Sequence, residues 1–413
     1  MKKILTIIAL AICSMTMMAQ ELHVGDLYYN IIPIEGGYAA KIVPHRSYKR
    51  LDSIAIPEYI TYQGLDLPIT IGNGAFSGCK KLASVYIPNT VIRIGRSAFY
   101  ETALYNDPAN WDNGALCIDG CLIEASAYIP EIYTINDGVR LIADYAFSGC
   151  KSSLKHVTIP ASVKSIGYGA FEGCKSLTSI NIPKSVTSIR SATFFGCSSL
   201  TSITIPNSVI WIGSEAFRGC SSLTSITIPN SVTEIGWNAF SDCTALTSVT
   251  IPNSVTEIGG WAFHGCSSLT SITIPNSVTE IGSNAFRGCY SLTSITIPNS
   301  VTEIGGWAFH GCYSLTSITI PNSVTEIGSN AFEGCSSLTS ITIPNSVTRI
   351  GDWAFRDCKS LTSITIPNSV TEISGWEFYG CTNLKAIYIP IGSKARFAKM
   401  YGLENLQHLL IER

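Results

Sequence analysis

Leucine recurs every 23 residues at Leu154, Leu177, Leu200, Leu223, Leu246, Leu269, Leu292, Leu315, Leu338, Leu361 and Leu384, framing ten consecutive copies of one pattern. A fixed period of roughly 20–50 residues is the mark of a solenoid, in which each unit stacks only on its neighbours. No other feature of the chain restricts its fold so tightly. A repeat this short cannot close a core of its own, so the core has to be shared between units.

Numbered 1 to 23 from its leucine, each repeat is apolar at positions 1, 4, 6, 10, 13, 17, 18 and 21, as in Leu269, Ile272, Ile274, Val278, Ile281, Ala285, Phe286 and Cys289. Positions 3 to 6 alternate polar and β-branched apolar residues, which predicts a short strand with one buried face. Proline at position 7 has no N–H to donate and ends that strand, and the Asn-Ser that follows suits a turn. Positions 13 to 21, reading I-G-x-x-A-F-x-G-C, place their apolar members on one face of a single helical or 3₁₀ turn with glycine at its C-terminal end. Glycine at position 20 gives way in the regular repeats to Asp242 and Asp357. Aspartate tolerates the left-handed conformation better than most residues, which predicts φ > 0 at that slot. Strands stacked ~4.8 Å apart in a parallel sheet would let neighbours bury the apolar positions jointly.

Charged residues make up 14% of the chain, against about 25% in ordinary soluble domains. Serine and threonine take the outward positions instead. A net charge of −2 gives no electrostatic footprint for nucleic acid and no polybasic membrane anchor. Residues 1–19 carry Lys2 and Lys3, an apolar run from Ile4 to Ile12, and small or Met residues up to Ala19. That is the pattern of an export signal cleaved after Ala19, and it predicts a secreted or cell-surface protein. The run is too short to span a bilayer, and no later stretch qualifies, so no transmembrane segment is expected. Cys13 offers a rival reading as a lipoprotein attachment site, although Ile12 before it is bulkier than the residue such sites carry.

The chain divides accordingly. Residues 20–50 hold two apolar runs around Glu35-Gly36-Gly37, which reads as a β-hairpin covering the first coil. Residues 51–153 are irregular repeats starting at Leu51 and Leu82, interrupted by an insertion at 101–129 and resuming by Val139. Residues 154–383 are the ten regular repeats, and 384–413 turn charged and helix-compatible after Pro390, as suits a C-terminal capping repeat.

Twelve of the fifteen cysteines occupy position 21. Equivalent residues in stacked coils point the same way with Cβ atoms about 5 Å or more apart, beyond the ~3.5–4.5 Å that a disulfide needs. Buried free thiols acting as small hydrophobes are therefore expected. Cys117 and Cys121 flank Asp119-Gly120. A two-residue loop would offset their thiols and a three-residue loop would face them, so a bridge there is left open.

Two surface rows follow from the variable positions. Position 12 is acidic in Glu234, Glu257, Glu280, Glu303 and Glu326 and forms an outward stripe. It is either a solvated edge or a weak site for Ca²⁺ or a basic partner. Position 16 holds Glu215, Asn238, Trp261, Asn284, Trp307, Asn330, Trp353 and Trp376 in turn. One slot cannot take Trp, Asn and Glu inside a close-packed interior, which places it at the surface. Arg218, His264, Arg287, His310 and Arg356 at position 19 and Tyr290 and Tyr313 at position 22 lie beside this row, and exposed Trp, Tyr and Arg are enriched at binding hot spots. The plainer reading is that the tryptophans pack flat over the next coil as filler.

No enzymatic constellation emerges. His264 and His310 are two coils apart, roughly 10 Å and too far to share a metal ion. No recurring Ser, His and acid converge, and no phosphate-binding glycine loop is present. No cofactor is expected.

The unit L-x-x-I-x-I-P-x-S-V-x-x-I-G-x-x-A-F-x-G-C resembles the 23-residue leucine-rich repeat of BspA-like bacterial surface proteins, from about Leu51 to Ile389. The N-terminal hairpin and the ALYNDPANW stretch (103–111) resemble pieces of the same family. The resemblance implies a repeat solenoid, mainly β, with a parallel sheet on the concave side of a curved stack and short helical or 3₁₀ turns on the convex side. It also implies an exported bacterial protein, adhesin-like, whose partner is a host matrix or cell-surface protein. The binding face would be the Ser/Thr-rich sheet or the aromatic edge. A structural spacer with no specific ligand is the reading from a different class. Ice binding by the rows of Ser and Thr hydroxyls is a third, which the curvature of such a stack opposes. The sequence does not specify an oligomeric state.

Overall fold

A computed structural model describes residues 21–34, 36–373 and 376–413. The export-signal reading of residues 1–19, with Cys13 and the cleavage after Ala19, falls outside the described residues, as does Glu35 of the hairpin turn. The chain forms two compact units, Met1–Leu154 with Ile159–Phe171, and Lys155–Thr158 with Glu172–Arg413. Both are β-solenoids: stacks of short coils whose strands pair in parallel. No helix among the described residues is long and apolar enough to cross a membrane.

In the first unit, β1 (Leu22–Val24), β2 (Leu27–Ile34) and β3 (Gly37–Ile42) form an antiparallel meander, one strand more than the hairpin expected. Strand β3 then runs parallel to Ile69–Ile71, pairing Ala40 with Ile69 and Ile42 with Ile71, and so lies against the first coil. Residues 101–129 do more than interrupt the period. Their hairpin pairs Ala115–Ile118 with Cys121–Ala125, and the second strand lies parallel to Leu141–Ile142. Cys117 stands opposite Leu122 and Ile118 opposite Cys121, so the loop has two residues and the thiols are offset. Asp119 and Gly120 both have φ > 0, as a type I′ turn requires, and both cysteines are free.

The second unit is held by three backbone ladders. Positions 3 to 5 form one, for example Ser225–Thr227, Ser248–Thr250 and Ser271–Thr273 in parallel register, with the isoleucine or valine buried and its polar neighbours exposed. A second, unexpected ladder runs along positions 12 and 13, in nine strands from Ser188–Ile189 to Glu372–Ile373. The third replaces the expected helical turn at positions 13–21. There the chain is a run of turns in which N–H groups alternate between two kinds of partner. Trp261, Phe263 and Gly265 donate to Ser283, Ala285 and Arg287 of the next coil, at 3.0, 2.9 and 2.8 Å. Ala262, His264 and Cys266 between them donate back three residues, to Gly259, Trp261 and Phe263. Left-handed residues at positions 16 and 20 (Trp261 φ 62°, Gly265 φ 70°) turn alternate N–H groups outward to the neighbour and forbid a continuous helix.

Inside these ladders the eight apolar positions are buried, from Leu269 at 0% exposure to Ile272 at 6%. The phenylalanines at position 18 form an offset stack: Phe217, Phe240, Phe263, Phe286, Phe309, Phe332 and Phe355 follow one another at 5.3–5.7 Å with planes within 9°. Beside them every described thiol is free, and Cys266 Sγ donates to the carbonyl of Phe240 in the preceding coil at 3.2 Å, a contact repeated up the stack. Burial pushes the Cys312 thiol up to about 12, so it stays protonated and able to donate.

Glycine at position 14 sets the coil spacing. A Cβ on Gly282 would stand 2.7 Å from Gly260 N and 2.8 Å from Ile258 O, both backbone atoms of the neighbouring coil. Gly282→Ala is therefore expected to cost about 1–3 kcal/mol by forcing the coils apart. A urea unfolding midpoint equal to that of the parent would contradict this.

The C-terminal residues end the stack with a short helix, Lys394–Phe397, a 3₁₀ segment, Tyr401–Leu409, and a last strand, Leu410–Glu412, parallel to Ala386–Ile389.

Candidate functional site

The two rows singled out in the sequence lie on the second unit. Glu234, Glu257, Glu280, Glu303 and Glu326 stand directly opposite one another along the second ladder. Arg349 ends the run, 2.7 Å from Glu326 Oε1 and 3.9 Å from Glu372 Oε2. Unit charges about 5 Å apart in water repel by only ~0.8 kcal/mol, so a ladder with strong packing tolerates the row. Among the described residues no three His, Cys, Asp or Glu side chains come together as metal ligands.

Position 16 is set by backbone conformation. In every regular repeat of the second unit it is left-handed: Ala192, Glu215, Asn238, Trp261, Asn284, Trp307, Asn330, Trp353 and Trp376 have φ between 55° and 75°. Asparagine and glycine accept this conformation readily, whereas a bulky tryptophan does so at a cost of order 1–3 kcal/mol. Trp307, Trp353 and Trp376 are 40%, 41% and 60% exposed, and Trp261 is half-buried. The expectation that the whole slot is at the surface needs correcting, because Asn284 and Asn330 are buried. Each lies between two coils that carry tryptophan at this slot. Asn238, with tryptophan on one side only, is half-buried.

Position 19 provides the next row, and its charges pair along the stack. Arg218 Nε lies 3.6 Å from Asp242, His264 Nδ1 3.8 Å from Asp242, and His310 Nδ1 3.2 Å from Glu333. Burial holds His310 below its ordinary range, with Glu333 opposing. The guanidinium of Arg287 sits 5.7 Å from the Trp261 ring centroid, within cation–π reach.

Trp353, Arg356, Trp376 and Tyr379 bound a cavity of about 440 Å³. Arg356 lies over the Trp353 ring at 4.9 Å and near the Tyr379 ring at 5.7 Å, and Trp376 meets Tyr379 edge to face at 5.8 Å. Arg356 belongs to the position-19 row that the sequence places beside the tryptophans, whereas Tyr379, which also closes this cleft from position 19, was not singled out. Tyr290 and Tyr313 stack on each other at 5.1 Å, about half exposed. Among the described residues no ring contact joins them to the tryptophans. The aromatic edge is thus two patches.

The family model described as BspA type Leucine rich repeat region (6 copies) matches residues 47–107, 127–244, 193–315 and 303–411. A leucine-rich repeat protein from Bacteroides ovatus is similar at 29% identity, with a TM-score of 0.61, covering 95% of this chain and 99% of that one. A leucine rich cell surface protein from Faecalibacterium prausnitzii is similar at 31% identity, with a TM-score of 0.47, covering 92% of this chain and 97% of that one. No curated protein matches the chain.

Proposed function

The chain belongs to the BspA-type leucine-rich repeat family, and from that premise we propose that it is an exported, non-enzymatic, adhesin-like protein that binds protein or cell-surface partners along the aromatic edge of its second unit. One observation carries this reading. Four coils place tryptophan in a left-handed slot that Asn fills elsewhere, and three of those rings are at least 40% exposed. Strain kept at the surface, where the fold gains little from it, supports a role outside the fold. Export is supported by the charged and apolar pattern of residues 1–19.

The test replaces Trp261, Trp307 and Trp353 together by Asn. Thermal unfolding is expected to be no lower than in the parent, because the new side chains suit the backbone they inherit. Saturable binding to immobilised extracellular-matrix proteins, measured by surface plasmon resonance, is expected to fall at least tenfold. A parent protein that binds none of them saturably would favour the spacer, whose near-identical coils set only length.

A further inference from the structure

The geometry of the tryptophan row points to a ligand class, and we infer that the row and the cleft at Trp353, Arg356, Trp376 and Tyr379 form a track for a neutral, extended β-1,4-linked glycan. This rests on the reading of the tryptophan row as the binding edge, and names what that edge takes.

Three observations carry it. The first is shape. Trp376 and Tyr379 are 60% and 58% exposed and Trp353 41%, so flat apolar surface is offered around a cavity of about 440 Å³, within the size range of small-ligand sites. Pyranose rings present a flat face of C–H groups that packs on such rings, with hydroxyls around the edge for a polar rim. Arg356 supplies that rim. Its Nη1 lies 3.5 Å from Glu333, and its Nε, buried and without a well-formed hydrogen bond, lies 3.4 Å from Asp357.

The second is charge. Arg356 is flanked by Glu333 and Asp357, and His310 also faces Glu333. The cleft therefore carries no surplus positive charge with which to hold a phosphate or a polyanion, and a neutral ligand loses nothing by entering it.

The third is period. Successive phenylalanine rings, two residues along from the tryptophan slot, are 5.4–5.7 Å apart from Phe263 to Phe355. Tryptophans two coils apart (Trp261, Trp307, Trp353) are thus separated by about 11 Å, two steps of a parallel stack. In an extended β-1,4-linked glycan the advance per sugar is close to one coil, and the same ring face returns every second sugar. Trp353 and Trp376 would then meet neighbouring sugars, and Trp307 and Trp261 the alternate ones beyond. Peptides fit the period less well. A polyproline II turn advances about 9 Å, and an extended strand repeats its side-chain direction every ~6.8 Å. Both drift off the row within two tryptophans.

The experiment titrates the purified protein with cellohexaose, mannohexaose and xylohexaose, with maltohexaose as a curved α-linked control and a proline-rich peptide as competitor. Tryptophan fluorescence reports binding. At least one β-1,4-linked hexasaccharide is expected to bind ten times more tightly than maltohexaose. In the variant Trp353→Asn with Trp376→Asn that binding should drop at least tenfold, with thermal unfolding no lower than in the parent. No binding of any β-linked probe, equal binding of maltohexaose, preference for the peptide, or binding untouched by the double variant would each overturn the assignment. Loss of the glycan result while matrix-protein binding still depends on the tryptophans would remove the glycan alone. Matrix-protein binding that ignores the tryptophans would instead remove the edge reading beneath it.

Discussion

Phe286→Ala is expected to lower the stability of the second unit by about 3–5 kcal/mol, the usual cost of removing a fully buried aromatic ring. Phe286 is completely buried between Phe263 at 5.7 Å and Phe309 at 5.5 Å, with planes parallel to within 9°. Its removal leaves a cavity lined by two rings that the ladders hold at fixed spacing, so collapse offers little relief. In a stack whose units touch only their neighbours, the lost contacts fall on two interfaces at once. Amide exchange should therefore accelerate in the coils on both sides of the substitution before it does so further along. A urea midpoint shifted by less than 1 kcal/mol equivalent would mean that the phenylalanine row is not the spine of the fold.

Glu377→Ala is expected to act in the opposite direction. At position 17 the other regular repeats carry alanine, apart from Thr193. Glu377 is fully buried there, and neither carboxyl oxygen has a well-formed hydrogen bond. Burial pushes its pKa up to about 8; the nearby Asp352 charge adds to this, and its own backbone N–H opposes it. In the unfolded chain the group titrates near its ordinary value of ~4.3. Because the folded value is raised, the folded protein binds the proton more tightly. Between about pH 4.3 and 8 the unfolded state has lost its proton while the folded state keeps it, and stability falls as pH rises through that window. Above it the penalty is complete, on the order of 3–5 kcal/mol at one pKa unit per ~1.4 kcal/mol. Glu377→Ala should thus add several kcal/mol at pH 8 and little at pH 4.5, read as the difference between variant and parent in urea unfolding. A difference that does not change with pH would show that the carboxyl reaches water.

The sequence disclosed the parts of this molecule that depend on composition at fixed positions. The eight apolar slots are buried in the regular repeats, Cys381 alone being partly exposed, and φ > 0 at position 20 was legible because Asp242 and Asp357 replace glycine there (φ 60° and 56°). The same logic would have exposed position 16, where Asn recurs and Gly169 stands in the first regular repeat. Tryptophan hid it, since that residue advertises surface rather than conformation. The ladder at positions 12 and 13 was invisible because two residues are too few to alternate, and its strands exist only by pairing with neighbours. The reason for glycine at position 14 lies in the close approach of Ile258 and Gly260 of the neighbouring coil, which no single repeat displays. Of the site, the tryptophans could be read directly. Arg356 could be read too, as a neighbour of the row, but Tyr379 and the cleft could not, because a cleft depends on which neighbours converge and not on any one repeat.

The alternating bonds of the third ladder have a genetic consequence. Each coil meets the next through the same donors and acceptors that it offers to the previous one, as Phe263 to Ala285 and Phe286 to Ala308 illustrate. Excising or inserting a whole repeat therefore leaves a joint that the protein cannot distinguish from any other. Unequal recombination among such similar copies would change the length of this molecule in steps of one coil, and with it the span of whatever the tryptophans hold, without any new folding problem to solve.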